Sequence, residues 1–450
     1  MPPKKLPPGP PGHFLTGNLG DLRGDVLALY TRCGLEYGDI STLRFGMRRV
    51  WLLYRPDLIE QVMADRTFVK HYALRMNRRL LGDGLLSSEG DIWLRQRRLM
   101  QPAFLRERLS GYAGVMVRYT ENMLGRWADD ARVDIHAEMR QLTMEITAKT
   151  LFGADVEGQG PAVAEALREV MESFISRLFS VFRFSENLPT PKNVRAWRAI
   201  KRLDAILYGL IERNRAEGNR DSLLSILLHA RDDKDGSRMT DQQLRDEAMT
   251  LFLAGHETTA LVLTYTLRLL ALHPEAQARL RDEVLARAGD RELNADDAHA
   301  LPFARSVVLE GMRLFPPAYV IGRQASQPCE LGGYPIPRGG TILMPQWVMH
   351  RHPKYWDDPE RFHPDRWKDG LLERIPKGVY FPFGGGPRVC IGNTFALMET
   401  ILVLATICRR RHLHAVGDMA LSFRPRMTLG PDGPIELRVE RHAVGDEKIV

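Results

Sequence analysis

The chain has 450 residues, 44% of them hydrophobic and 26% charged, with a formal charge of +7; this is ample for a large core and ordinary for a globular protein. No apolar run is long enough for a transmembrane helix, and no basic run is interleaved with aromatics, so nucleic acid is not an expected partner. The four cysteines, Cys33, Cys329, Cys390 and Cys408, have no metal-knuckle or redox-pair spacing, and a reducing, cytoplasmic compartment fits best.

Residues 1–12 form a proline-rich arm with no signal-peptide apolar core. "DISTLRFGMRRVWLLYRPD" predicts two strands around a turn at Gly46-Met47, and Pro56 opens a helix. Residues 71–90 are glycine-rich and predict a long irregular loop. "DIWLRQRRLMQPAF" predicts a helix capped by Asp91 and limited by Pro102. On it Trp93 and Arg97 share a face, and an indole N–H beside a guanidinium makes a carboxylate site that Arg323 and Arg388 can extend. A solvated basic face is the commoner meaning of such a run.

From Leu105 to Arg287 the pattern is almost wholly helical. The longest helix, "LRDEAMTLFLAGHETTALVLTYTLRLLALHP", contains Ala254-Gly255 followed by Glu257 and Thr258. The Thr258 hydroxyl can bond the Ala254 carbonyl and pull the helix open into a notch; an ordinary core helix is the alternative. In "SVVLEGMRLFPP", Glu310 and Arg313 are helical neighbours with apolar flanks. A buried pair needs further partners, and Arg366 of "FHPDRW" is the candidate.

Residues 315–390 are rich in proline and glycine and carry short strands. They end in "FPFGGGPRVCIGN", where Phe383, Gly386, Arg388, Cys390 and Gly392 surround a lone thiol just before another helical pattern. The unpaired N–H groups and dipole of a helix N-terminus favour thiolate. A nucleophile, a metal ligand and a buried structural cysteine are the readings; the loop holds no histidine or lysine base, so a ligand is the better one. The chain reads as mainly α with a small β subdomain. Its β-rich parts lie at about 39–56 and 320–345, on a helical body at about 57–315 and 391–412.

These motifs together resemble the cytochrome P450 family. The cysteine loop is similar to the family's haem-ligand signature, "AGHETT" to its oxygen-activation motif and "EGMR" to its ExxR motif. "FHPDRW" resembles its meander arginine and "WLRQR" its WxxxR element, all in family order over roughly residues 7–440. The resemblance implies one domain, residues 1–450, with haem b between the long central helix and the cysteine-loop helix. Cys390 would ligate the iron, with Phe383 packed near it and the loop glycines, Gly386 and Gly392 among them, letting N–H groups reach the sulfur. Ala254 and Gly255 would line the haem on the other side. Trp93, Arg97, Arg323 and Arg388 would hold the propionates, and Glu310, Arg313 and Arg366 would form a structural triad. Glu257 and Thr258 would deliver protons to oxygen, with His256 pointing away.

The implied activity is monooxygenation of a hydrophobic small molecule (a terpenoid, fatty acid or steroid) with O2. Electrons would come from a separate ferredoxin or flavodoxin with its reductase, drawn to arginines that include "RRRH" at 409–412. Substrate contacts would come from Tyr72, Leu74, Met76, Leu85, Leu86, Phe174, Phe179, Phe182, Ala318, Val320 and Ile321. An H2O2-using peroxygenase and a non-catalytic haem-thiolate sensor are the alternatives. The retained Glu257-Thr258 pair speaks against the first, and the lack of a visible signalling module against the second. The expectation is a cytoplasmic monomer without a membrane anchor.

Overall fold

The structure, a computed structural model, describes residues 6–75, 78–153, 189–217 and 222–442. Its contacts divide the chain into two compact units. One runs up to Tyr72 and adds residues 306–390 and 423–430; the other holds 73–305, 391–422 and the residues from Pro431 on.

The first unit is built on a five-stranded sheet. In spatial order its strands are Ile40–Phe45, Arg48–Leu53, Thr341–Met344, Ile321–Ala325 and Phe68–Lys70. Val50 pairs with Thr341 in parallel register, while the other pairings are antiparallel. The two β-rich parts of the sequence therefore pair as expected. Pro56 stands at the start of the helix Pro56–Ala64, where its missing N–H costs nothing. Leu52, Leu53, Ile59, Val62, Ile342, Met344 and Phe381 share one buried cluster there.

The second unit is helical. Its axis is the 32-residue helix Asp241–Leu272, started by a reciprocal capping box between Thr240 and Gln243. This helix is buried along most of its length because it contacts the helices Ile135–Phe152, Pro191–Glu217 and Asn393–Arg410. A three-stranded sheet of Ala131–Asp134, Glu436–Arg441 and Arg411–Ala415 closes the unit. Among the described residues no helix is long and apolar enough to cross a membrane.

Four local expectations change. The stretch 71–90 contains two single-turn helices, Tyr72–Arg75 and Arg78–Leu81. The span 57–315, read as helical, includes the strands Phe68–Lys70 and Ala131–Asp134. The helix expected to be capped by Asp91 begins at Gly90, behind Glu89, and Asp91 sits in its first turn, where an acid complements the dipole. In the "RRRH" run, whose arginines were expected to attract a redox partner, Arg409 and Arg411 are buried and donate to the carbonyls of Arg291 and Leu124, and the exposed Arg410 pairs with Glu121 at 3.0 Å.

Candidate functional site

The glycines of the cysteine loop answer a steric demand. Gly386 has φ +61, and a Cβ there would overlap the Met63 carbonyl; a Cβ on Gly385 would press on the Met63 sulfur. The loop thus lies flat on the helix Pro56–Ala64, a path that glycine takes without strain. The Cys390 N–H donates to the Phe383 carbonyl at 2.9 Å, which closes the loop on itself. The helix Asn393–Arg410 begins three residues later, with Gly392 as its N-cap.

Cys390 is the exposed cysteine. Burial pushes the thiols of Cys33 and Cys408 up to about 11 and about 12, which makes them inert packing groups. Among the described residues, no group of three or more His, Cys, Asp or Glu is placed to hold a metal ion. A lone thiolate cannot retain a bare ion, so a metal bound here must bring its own ligands, as the iron of a porphyrin does. The surrounding side chains fit such a group. In the loop itself Pro382, Phe383 and Val389 are apolar and only half-buried.

Behind the loop stands a charge network. Glu310 and Arg313 are both 0% exposed and bond in two parallel contacts of 2.9 Å. The same carboxylate accepts from Arg366 Nε at 3.0 Å, the His363 N–H at 2.9 Å and Trp367 Nε1 at 3.0 Å. Arg313 in turn donates to the carbonyls of His350, Pro359 and Arg361. Sequence reasoning found the three charges but missed His350, which joins them to the cysteine loop. Its Nε2 accepts the Phe381 N–H at 3.0 Å, and Gln346 caps the Phe381 carbonyl. Burial, with Arg351 and Arg313 nearby, holds the His350 pKa well below the usual imidazole value; it stays neutral, as an acceptor must.

On the long helix the Thr258 hydroxyl donates to the Ala254 carbonyl at 2.7 Å. The helix nevertheless runs unbroken through this point. The hydroxyl shares the carbonyl with the helix instead of displacing its backbone bond, so no opening accompanies the contact. Ala254 is exposed and Gly255, Glu257 and Thr258 are half-buried in a helix that is otherwise mostly buried. Glu257 faces Arg140 at 3.6 Å. His256 turns back to the Phe252 carbonyl at 2.7 Å, and its burial lowers its pKa.

Trp93 and Arg97 lie on the helix Gly90–Met100 in the helical unit. Arg323, buried on its strand, and Arg388, half-buried in the turn Gly386–Arg388, belong to the sheet-bearing unit. Of the expected substrate contacts, Tyr72, Leu74, Leu86, Ala318, Val320 and Ile321 are half-buried, and Leu85 is buried. Tyr72 accepts from Arg48 at 3.1 Å. Met76, Phe174, Phe179 and Phe182 lie outside the described residues.

Glu399 was missed by sequence reasoning. It sits inside the cysteine-loop helix, 0% exposed, with both carboxyl oxygens lacking a hydrogen-bond partner. Burial raises its pKa well above the ordinary carboxyl value, and the Thr259 hydroxyl opposes this only in part. The native state therefore keeps a proton that the unfolded chain releases above a pH of about 4.3. The stability this lends is full below that pH and is lost at up to ~1.4 kcal/mol per pH unit as pH rises towards the native pKa. Glu399→Gln should abolish that slope, so its melting temperature should gain on the parent's between pH 5 and pH 8 (the range of roughly neutral assays). Parallel melting curves across that range would mean that Glu399 is ionised and hydrated.

The sequence profile of the family described as Cytochrome P450 matches residues 7–437. Cyclooctatin synthase of Streptomyces melanosporofaciens is 36% identical over 406 residues, 89% of this chain and 88% of that protein. Cyclooctat-9-en-7-ol 5-monooxygenase of the same organism is 35% identical over 410 residues, covering 89% of each. Pentalenene oxygenase of Streptomyces avermitilis is 33% identical over 375 residues, 82% of this chain and 83% of that one. Among solved structures, the cytochrome P450DA heme domain superposes with a TM-score of 0.90 at 28% identity, covering 97% of both chains.

Proposed function

The chain belongs to the cytochrome P450 family of monooxygenases, and from that premise we propose that it oxygenates a terpenoid, with haem b held through Cys390. The observation that carries the reading is the exposed thiol on a glycine-rich loop, closed by its own N–H to Phe383, just before a helix N-terminus, with no ligand cluster of His, Cys, Asp or Glu among the described residues. When bound, a thiolate-ligated haem supplies oxygen activation with a bias towards O–O cleavage. The protein's own residues do the rest. Trp93, Arg97, Arg323 and Arg388 present N–H donors suited to carboxylates. Glu310, Arg313 and Arg366 brace the thiol loop through His350.

Thr258 holds a proton-transfer position. Its hydroxyl donates to Ala254, so its oxygen is left to accept from a water, which is thereby oriented. Glu257, half-buried and facing Arg140, supplies a carboxylate on the same turn. Electrons come one at a time from a separate ferredoxin or flavodoxin with its reductase. The terpenoid class is supported by the names of the relatives and by the apolar character of Leu74, Leu86, Ala318, Val320 and Ile321.

Two measurements test this. Difference spectra against panels of terpenes, fatty acids and steroids should show substrate-type Soret shifts with terpenes, and turnover with added redox partners should give products one oxygen heavier. Shifts confined to fatty acids or steroids would refute the terpenoid class. Thr258→Ala should keep haem binding and NADPH consumption while a several-fold larger share of electrons appears as H2O2. If the variant couples as tightly as the parent, Thr258 is not the proton-transfer residue.

A further inference from the structure

Four side chains of the helix Ile135–Phe152 meet the long helix along one line. His136, Arg140, Thr143 and Thr147 recur at helical spacing, so they leave their helix within about 60° of one another. Each finds a different residue of the long helix. His136 Nδ1 lies 3.3 Å from the Thr264 hydroxyl, and Arg140 faces Glu257 at 3.6 Å. The Thr143 hydroxyl donates to the His256 carbonyl at 2.9 Å. Thr147 is buried against Gly255, and its hydroxyl has no hydrogen-bond partner. The line therefore touches three consecutive residues, Gly255, His256 and Glu257, just ahead of Thr258.

Of these three contacts the Thr143 bond is the firm one. Arg140 and Glu257 are both partly exposed, and such a pair holds weakly; Thr147 adds contact without a bond. Thr143 is fully buried. Its single proton also faces the Met139 carbonyl at 2.8 Å and the Arg140 carbonyl at 3.4 Å, so it is shared between its own helix and the long one. Thr150 supplies the contrast. It is buried on the same helix, but its hydroxyl bonds the carbonyls of Ile146 at 2.8 Å and Thr147 at 3.4 Å, both on that helix. The two threonines are alike in chemistry and burial and differ in the bond across to the long helix.

We propose that Thr143 is a positioning residue for proton transfer: its hydroxyl fastens the turn that carries Glu257 and Thr258 to the neighbouring helix. The inference rests on the proton-transfer reading of Thr258 above. Thr258 bonds the Ala254 carbonyl, a back-bond of the kind that bends helices. The His256 carbonyl lies between those two residues in the chain. A donor placed on it from the next helix holds the turn against that bend, and so fixes where the Thr258 oxygen points. Proton transfer depends steeply on such geometry. Without the bond across, the turn keeps its own helical bonds, and the protein stays folded while the hydroxyl loses its set direction.

The test uses full-length holoprotein with added redox partners and the panel compound that gives the largest Soret shift, whatever its class. NADPH, product and H2O2 are measured together. Thr143→Val keeps the shape and deletes the hydroxyl; its ratio of H2O2 to product should rise about threefold to tenfold, the scale of one lost hydrogen bond. Thr150→Val removes a hydroxyl of equal burial that does not cross to the long helix, and should leave the ratio within about twofold of the parent. Thr143→Ser, which restores the donor, should return to the parent's ratio. A residue acting through Thr258 has nothing left to position once that hydroxyl is gone, so Thr143→Val should add little to Thr258→Ala. Equal ratios in Thr143→Val and Thr150→Val, with Thr258→Ala clearly raised, overturn the proposal and leave the proton-transfer reading standing. So do effects that multiply in the double variant, which would place Thr143 on a separate path. A parent-like ratio in Thr258→Ala removes the proton-transfer reading itself, and the proposal with it.

Discussion

Glu310→Ala should leave almost no haem-loaded protein. One carboxylate there serves five donors: two from Arg313, one each from Arg366 and Trp367, and the His363 N–H. Without it the Arg313 guanidinium, 0% exposed, keeps its carbonyl partners but loses its counter-charge. Stripping one partner from a buried ion pair costs on the order of 3–5 kcal/mol, set against a total stability of about 5–15 kcal/mol. The damage also travels. Arg313 holds the His350 carbonyl, His350 Nε2 holds the Phe381 N–H, and Tyr380 donates to the Leu309 carbonyl. Each of these bonds fixes the approach to the cysteine loop. The expected result is a several-degree fall in melting temperature and a haem-to-protein ratio far below the parent's. Glu310→Gln should fail almost as badly, because an amide restores shape but not charge. Normal haem content and an unchanged melting temperature in Glu310→Ala would show that the network does not support the loop.

The parts legible in the sequence were those whose partners lie close in the chain. The Gly46 turn, the Pro56 helix start, the Thr258 bond to Ala254 and the Glu310–Arg313 pair are all settled within four residues or by one turn. The cysteine loop was legible because glycines, arginine and thiol crowd into a few positions. What the loop lies on was not: Met63 is more than 300 residues away in the chain. His350 looked like one histidine in "MHRHP", and only burial against Phe381 and Arg313 gives it a role. Glu399 resembled any acid on an amphipathic helix, yet it is fully buried beside Thr259. Arg409 and Arg411 read as a basic surface because carbonyl partners from Arg291 and Leu124 leave no local trace. The helix notch failed for a different reason. The bond was foreseen correctly, but a hydroxyl that shares the carbonyl need not displace the backbone bond, and the helix runs on unbroken.

Every role assigned above depends on Cys390 acting as a thiolate ligand, and the reduced, CO-bound spectrum reads that bond directly. The thiol stands on a loop closed by its own N–H to Phe383, three residues before a helix whose dipole favours an anion. A thiolate donates electron density to the iron and moves the Soret band to the family's long wavelength. Cys390→His is the informative variant, since imidazole also binds haem iron and keeps the cofactor in place. The account predicts a long-wavelength CO band in the parent, a short-wavelength band with haem retained in Cys390→His, and no product from that variant. A long-wavelength band that survives in Cys390→His would contradict it, because another residue would then be the ligand and the site would have to be placed elsewhere in the chain.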